Sequence, residues 1–95
     1  MIEYKRNEDK IIKGLQQYID TTYSGHYAGK DGRDVIDDWE DAGIVKEMCH
    51  GNMIKYVKRF GKKEGWNPKD IMKVIHYGIL LLNAMQTEGN DNDDA

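Results

Sequence analysis

The sequence has one cysteine, one proline and no long apolar run. The single cysteine, Cys49, excludes an internal disulfide and suits a reducing compartment. The longest apolar stretch, residues 78–82, is far shorter than the roughly 20 residues that a helix needs to cross a bilayer. The first ten residues lack the apolar core of a secretory signal. We therefore expect a cytoplasmic protein that has no membrane partner.

The chain also lacks the alternating pattern of β-strands and any internal repeat. Hydrophobic residues make up 39% and charged residues 33% of its 95 residues, a composition and length that suit one folded domain. Apolar spacing predicts four helices, over residues 7–20, 34–43, 44–61 and 68–86. Gly43 is expected to end the second helix, and Asn67 and Pro68 to begin the last. The fold class is therefore all-α: a compact four-helix domain over residues 1–87, followed by a disordered acidic tail over 88–95.

Apolar residues cover the last helix more broadly than a one-sided helix requires. Ile71, Ile75, Ile79 and Leu82 form one stripe, and Leu80 falls on the opposite side. Such width is typical of a helix that is buried from two sides. Because the chain is short, we expect the second side to be covered by another subunit of a homo-oligomer.

Positive charge is concentrated in the third helix and its surroundings, although the whole chain carries −3. Residues 46–73 hold eight basic and three acidic side chains, a net of +5. At 100° per residue, Asn52, Tyr56, Arg59 and Lys63 share one narrow strip, with Lys55 and Lys62 beside it. Guanidinium and ammonium groups suit phosphates, and an aromatic ring with an amide suits a base. The strip predicts a nucleotide site in which Arg59 contributes to binding and is dispensable for folding. The alternative is a solvated face that adds solubility and a few ion pairs to the acidic helix.

Specific residues carry a resemblance to a known family. The pattern consists of His26-Tyr27, then Gly51-Asn52-x-x-Lys55-Tyr56-x-x-Arg59, then Asp70-x-x-Lys73-x-x-x-Tyr77. Over residues 26–82, this pattern resembles that of a family of small bacteriophage proteins. This family is related to the P-loop-less nucleotide kinase of short-tailed coliphages. The resemblance implies a phage protein in an infected bacterial cell, an all-α fold and nucleotide binding. The ligand-binding residues expected from strip and resemblance together are His26, Tyr27, Asn52, Lys55, Tyr56, Arg59, Lys62, Lys63, Lys73 and Tyr77.

Three functions fit this site. The first is sequestration of a nucleotide or nucleotide-derived signal of a host defence system, which needs no catalytic group and no cofactor. The second is nucleoside monophosphate kinase-like phosphoryl transfer, which would add Mg²⁺. The third is inhibition of a host enzyme through a protein interface. We favour sequestration, with Tyr56 against the base and Tyr27 or Trp66 as secondary candidates for this contact; the catalytic residues stay unassigned.

Other chemistries fit less well. The stretch from Gly25 to Asp31 fails the P-loop spacing. The acidic helix at 34–41 offers carboxylates for a magnesium-dependent hydrolase but lacks a second acidic motif. The three histidines have no metal-ligand spacing, and we expect His50 to pack in the core and no metal site. An acidic chain is also a poor nucleic-acid binder.

Overall fold

The computed structural model describes residues 1–24, 32–62 and 65–87, and in these ranges the regular structure is helical. The helices are α1 (Glu8–Ser24), α2 (Val35–Ala42), α3 (Val45–Arg59) and α4 (Pro68–Thr87). No strand occurs among the described residues; Lys62 and Gly65 form one isolated antiparallel bridge. The all-α prediction is therefore confirmed.

The helices belong to two compact units. The first unit ends at Asp34 and holds α1, and the second begins at Val35 and holds α2, α3 and α4. The expected single domain over residues 1–87 stays a prediction, and the expected acidic tail lies outside the described residues.

Helix α1 is longer at its C-terminal end than predicted. Glu8 and Asp9 lie in its first turn, where carboxylates interact favourably with the helix dipole. The helix continues past Asp20 through Ser24. The hydroxyl of Thr21 donates to the carbonyl of Tyr18 at 2.6 Å. Hydroxyl bonds of this kind satisfy terminal carbonyls, so a threonine-rich stretch that we predicted as loop forms the last helical turn.

The link between α2 and α3 follows the sequence signals closely. Gly43 has a φ of 72°, a left-handed conformation that glycine adopts without strain. The amide of Ile44 donates to the carbonyl of Trp39 at 2.9 Å. The apolar spacing of α2 predicts that Val35, Ile36 and Trp39 face inward; Ile36 and Trp39 are half-buried, but Val35 is exposed. Val35 is the first residue of the helix.

The core of the second unit lies between α3 and α4, and α2 packs on α3. Cys49 on α3 is completely buried, and burial raises the pKa of its thiol. Ala84 on α4 is also buried. A buried protonated thiol behaves as a small apolar side chain, so Cys49 contributes to packing.

Helix α4 begins as predicted. The side-chain oxygen of Asn67 accepts a hydrogen bond from the amide of Lys69 at 3.0 Å, and Pro68 occupies the first helical position. Among the described helices, none has the length and apolar character needed to span a membrane.

One face of α4 remains open. Leu80 and Leu81 are half-buried, whereas the side chains of Ile75, Ile79, Leu82 and Met85 are exposed. The open face is therefore on the predicted stripe and not on the Leu80 side, where we expected a second subunit. We call these four exposed residues the α4 stripe. They border a shallow apolar groove that Met53, Val74, Gly78 and Leu81 also line.

Candidate functional site

The site is built around the ring of Tyr56, which is half-buried where α3 meets α4. The ring lies nearly parallel to that of Tyr77 on α4, with centroids 6.2 Å apart and an interplanar angle of 14°. The Tyr77 ring in turn lies 6.4 Å from that of Trp39 on α2. Aromatic pairs at these separations are attractive. The contacts among these three rings therefore connect α2, α3 and α4 and fix the position of Tyr56.

Three cationic side chains surround the Tyr56 ring. The Nζ atom of Lys55 lies 4.6 Å from the ring centroid, and that of Lys73 lies 5.4 Å from it. The Cζ atom of Arg59 lies at 5.8 Å. A cation within about 6 Å of an aromatic face is attracted by the quadrupole of the ring. We call Lys55, Arg59 and Lys73 the cation cluster, because all three contact the Tyr56 ring.

Arg59 has a buried partner. Its Nε atom lies 3.5 Å from Oδ1 of Asp70, whose side chain is 3% exposed, whereas that of Arg59 is 41% exposed. The other carboxylate oxygen of Asp70 is buried and accepts no hydrogen bond from the described residues. Because Asp70 cannot be hydrated, the charge of Arg59 matters to the fold. The sequence predicted that Arg59 is dispensable for folding; the buried carboxylate beside it leads us to expect the opposite.

The remaining residues of the predicted strip take different positions. The side-chain amide of Asn52 donates to the carbonyl of Met48 at 2.8 Å, so this N–H group forms a hydrogen bond within α3. Lys62 lies in the turn after α3, and its amide donates to the carbonyl of Arg59 at 3.0 Å. His26, Tyr27 and Lys63 lie outside the described residues.

Two histidines lie in the second unit, in different surroundings. His50 is exposed, so the prediction that it packs in the core is wrong. The buried face of α3 includes Cys49 and Tyr56; His50 instead lies on the outer side with Ile54 and Val57, which are also exposed.

His76 on α4 is half-buried beside Tyr77, with ring centroids 6.5 Å apart. Burial and the charge of Lys73 lower the pKa of this histidine. Within the described ranges, no three His, Cys, Asp or Glu side chains are grouped closely enough to hold a metal ion.

The cluster as a whole suits an anion. Three cations converge from two helices, and the carboxylate of Asp70 lies beside one of them, Arg59. Lysine offers point charges to phosphate oxygens, and arginine offers a planar fork of donors. The sequence pattern did not identify Asp70 as the partner of Arg59. One signal could have predicted this pairing: Asp70 lies in the first turn of α4, and α4 follows the basic end of α3 in the chain.

Comparison with known proteins identifies one family. The family model described as "Protein of unknown function (DUF3310)" matches residues 21–78, which is 58 of the 95 residues. This range overlaps most of the region on which the sequence resemblance rests. No curated protein and no solved structure shows significant similarity to the chain. The inferred relation to the coliphage nucleotide kinase stays a prediction.

Proposed function

The chain belongs to the DUF3310 family, and we propose that it binds a nucleotide or nucleotide-derived molecule whose phosphates contact the cation cluster. The proposed role is sequestration: the protein holds the molecule without converting it. In the bacteriophage setting that the sequence resemblance implies, the molecule would be a signal of a host defence system.

The observation that carries the proposal is the convergence of Lys55 and Lys73 on one ring. They belong to different helices, yet their ammonium groups lie 4.6 Å and 5.4 Å from the Tyr56 centroid. A solvated helix face would spread its charges apart, since like charges at close range repel each other. Holding three cations together costs free energy that a bound phosphate would return by neutralising them.

Sequestration is favoured over phosphoryl transfer by what each requires. Transfer between two nucleotides needs two phosphate sites, ligands for Mg²⁺ and exclusion of water. The described residues supply one cation cluster, in which lysine and arginine meet the phosphate charge directly. Binding alone needs nothing further, and it does not depend on Mg²⁺.

We further propose that the protein is a homo-oligomer in which a second copy covers the α4 stripe. Ile75, Ile79, Leu82 and Met85 follow the helical spacing of four, three and three residues. Such a stripe can pack against the same stripe of a second copy, because a two-fold axis brings identical surfaces together. Leu82 has 59% of its surface exposed, which supports an apolar contact there.

Titration calorimetry of charge variants tests the proposed site. With mono-, tri- and cyclic nucleotides as probes, Lys55→Ala and Lys73→Ala should each weaken binding by roughly 1.5–3 kcal/mol, the range for hydrogen bonds to charged groups. Lys58→Ala is the matched control, because this lysine is exposed on α3 and no ring contact links it to Tyr56 among the described residues. Wild-type affinity in both cluster variants would overturn the proposal.

A further inference from the structure

Trp66 is an exposed aromatic side chain that is nevertheless held in place. Its side chain is 77% exposed. The Phe60 ring contacts it edge to face, with centroids 5.0 Å apart and planes at 79°. A Cβ atom at Gly61 would lie 3.4 Å from the six-membered ring of the indole. The indole therefore packs against Phe60 and Gly61, and most of its surface faces solvent.

The turn that precedes Trp66 restrains its backbone. The amide of Gly61 donates to the carbonyl of Gly65 at 2.8 Å, and the amide of Gly65 donates to that of Lys62 at 3.2 Å. Gly61 and Gly65 both have positive φ values, 85° and 69°. Trp66 lies directly between this hydrogen-bonded turn and Asn67, which caps α4. Both neighbouring segments therefore restrain its backbone.

In the chain, Trp66 lies close to two residues that position Arg59. Phe60, which the indole contacts, directly follows Arg59 in the chain. Asp70, which pairs with Arg59, lies in the first turn of α4, shortly after Trp66 in the chain. The indole and the guanidinium group are thus fixed by the same short segments, the end of α3 and the start of α4.

The Tyr56 ring is less suited to contact a base. It already lies parallel to Tyr77, and all three cations of the cluster lie within 6 Å of its centroid. A base placed on this ring would have to displace ammonium groups that the phosphates need. The described residues thus divide the two tasks: Tyr56 supports the cations, and Trp66 presents an open aromatic surface.

We propose that Trp66 is the stacking surface for the base of the bound nucleotide, an inference that rests on the proposed function. Indole has the largest aromatic surface among side chains, and every base has a π face that can stack on it. Stacking does not depend on the hydrogen-bonding edge of the base. The ligand class is therefore a phosphorylated compound that carries an aromatic base, favoured over a phosphate chain without one.

The test uses the intact protein labelled with 5-fluorotryptophan, which has two fluorine resonances, from Trp39 and Trp66. The variant Trp66→Phe assigns them. The probes are mono-, tri- and cyclic nucleotides of each base, with inorganic tripolyphosphate as the compound that has phosphates but no base. Nucleotides should shift the Trp66 resonance, whereas tripolyphosphate should bind without shifting it.

Affinities then separate stacking from phosphate contact. Trp66→Ala should weaken nucleotide binding about ten-fold, within the range for base–aromatic stacking, and change tripolyphosphate binding less than two-fold. Trp66→Phe should recover part of the loss. An unshifted Trp66 resonance under saturating nucleotide, or equal nucleotide affinity in wild type and Trp66→Ala, would overturn the inference and leave the proposed phosphate site standing. If neither nucleotides nor tripolyphosphate bind, the proposed function fails and this inference fails with it.

Discussion

Arg59 on α3 and Asp70 on α4 form an ion pair between the two helices that carry the candidate site. The Arg59 Nε atom lies 3.5 Å from Asp70 Oδ1, and only the arginine has substantial exposure, 41% against 3%. The pair gives Arg59 two tasks: it compensates a buried carboxylate, and its guanidinium forms part of the cation cluster around Tyr56. Binding and stability are therefore linked at this residue.

Arg59→Ala should destabilise the fold by about 2 kcal/mol, because it removes the cation that faces a buried carboxylate. Urea unfolding followed by circular dichroism measures this change. Lys58→Ala is the control, since this neighbouring exposed lysine is not paired with Asp70. The double variant Arg59→Ala with Asp70→Ala should recover part of the loss, because the unpaired charge is then absent. Equal unfolding midpoints for Arg59→Ala and Lys58→Ala would contradict the role assigned to the pair.

Much of the fold follows from local sequence signals. The cap at Asn67, Pro68 at the start of α4 and the left-handed Gly43 after α2 occur as predicted, because each is determined by a few neighbouring residues. The last turn of α1 was missed. Threonine hydroxyls extend this helix by bonding to carbonyls one turn back, a contribution that apolar periodicity does not include.

The site was predictable only in part. Helical geometry places Tyr56 and Arg59 on one side of α3, but it does not reveal which side faces α4. The error at His50 has this cause: His50 lies on the same side of α3 as the apolar residues Ile54 and Val57, a pattern that indicates a buried face, but both of these residues are exposed. The approach of Lys73 to Tyr56 is likewise a tertiary contact between helices, which no spacing within one helix specifies.

Charge on the α4 stripe should separate the subunits. Leu82→Lys should reduce the molar mass measured by light scattering to that of a monomer, because an ammonium group cannot be buried in an apolar contact without a partner. Folding should be retained, since Leu82 is 59% exposed. Val57→Lys, at an exposed position on α3, is the control and should keep the wild-type mass. A monomeric wild type would refute the proposed oligomer.

Stability should fall in mild acid through His76. Burial and Lys73 lower the pKa of this histidine in the folded state below its ordinary value of 6.5. The unfolded chain therefore binds more protons just below pH 6.5, and stability rises with pH in that range. The contribution of neutral His76 is complete above pH 6.5 and is lost as the pH falls through its folded pKa.

The variant His76→Gln isolates this contribution. Its free energy of unfolding should change less between pH 7.5 and pH 5.5 than that of wild type, measured by urea unfolding at each pH. Identical pH dependence in wild type and His76→Gln would contradict the assignment.

The central claim is that the protein holds a nucleotide without converting it, and recovery of the ligand tests this most directly. Purified protein is incubated with mono-, tri- and cyclic nucleotides, with and without Mg²⁺, separated from free ligand and heat-denatured, and the supernatant is analysed by chromatography. We predict one equivalent of chemically intact nucleotide per site, independent of Mg²⁺, with recovery reduced in Lys55→Ala and Lys73→Ala. Absence of any retained nucleotide would contradict nucleotide binding. Many equivalents of converted nucleotide that require Mg²⁺ and a phosphate donor would contradict sequestration and favour kinase-like transfer.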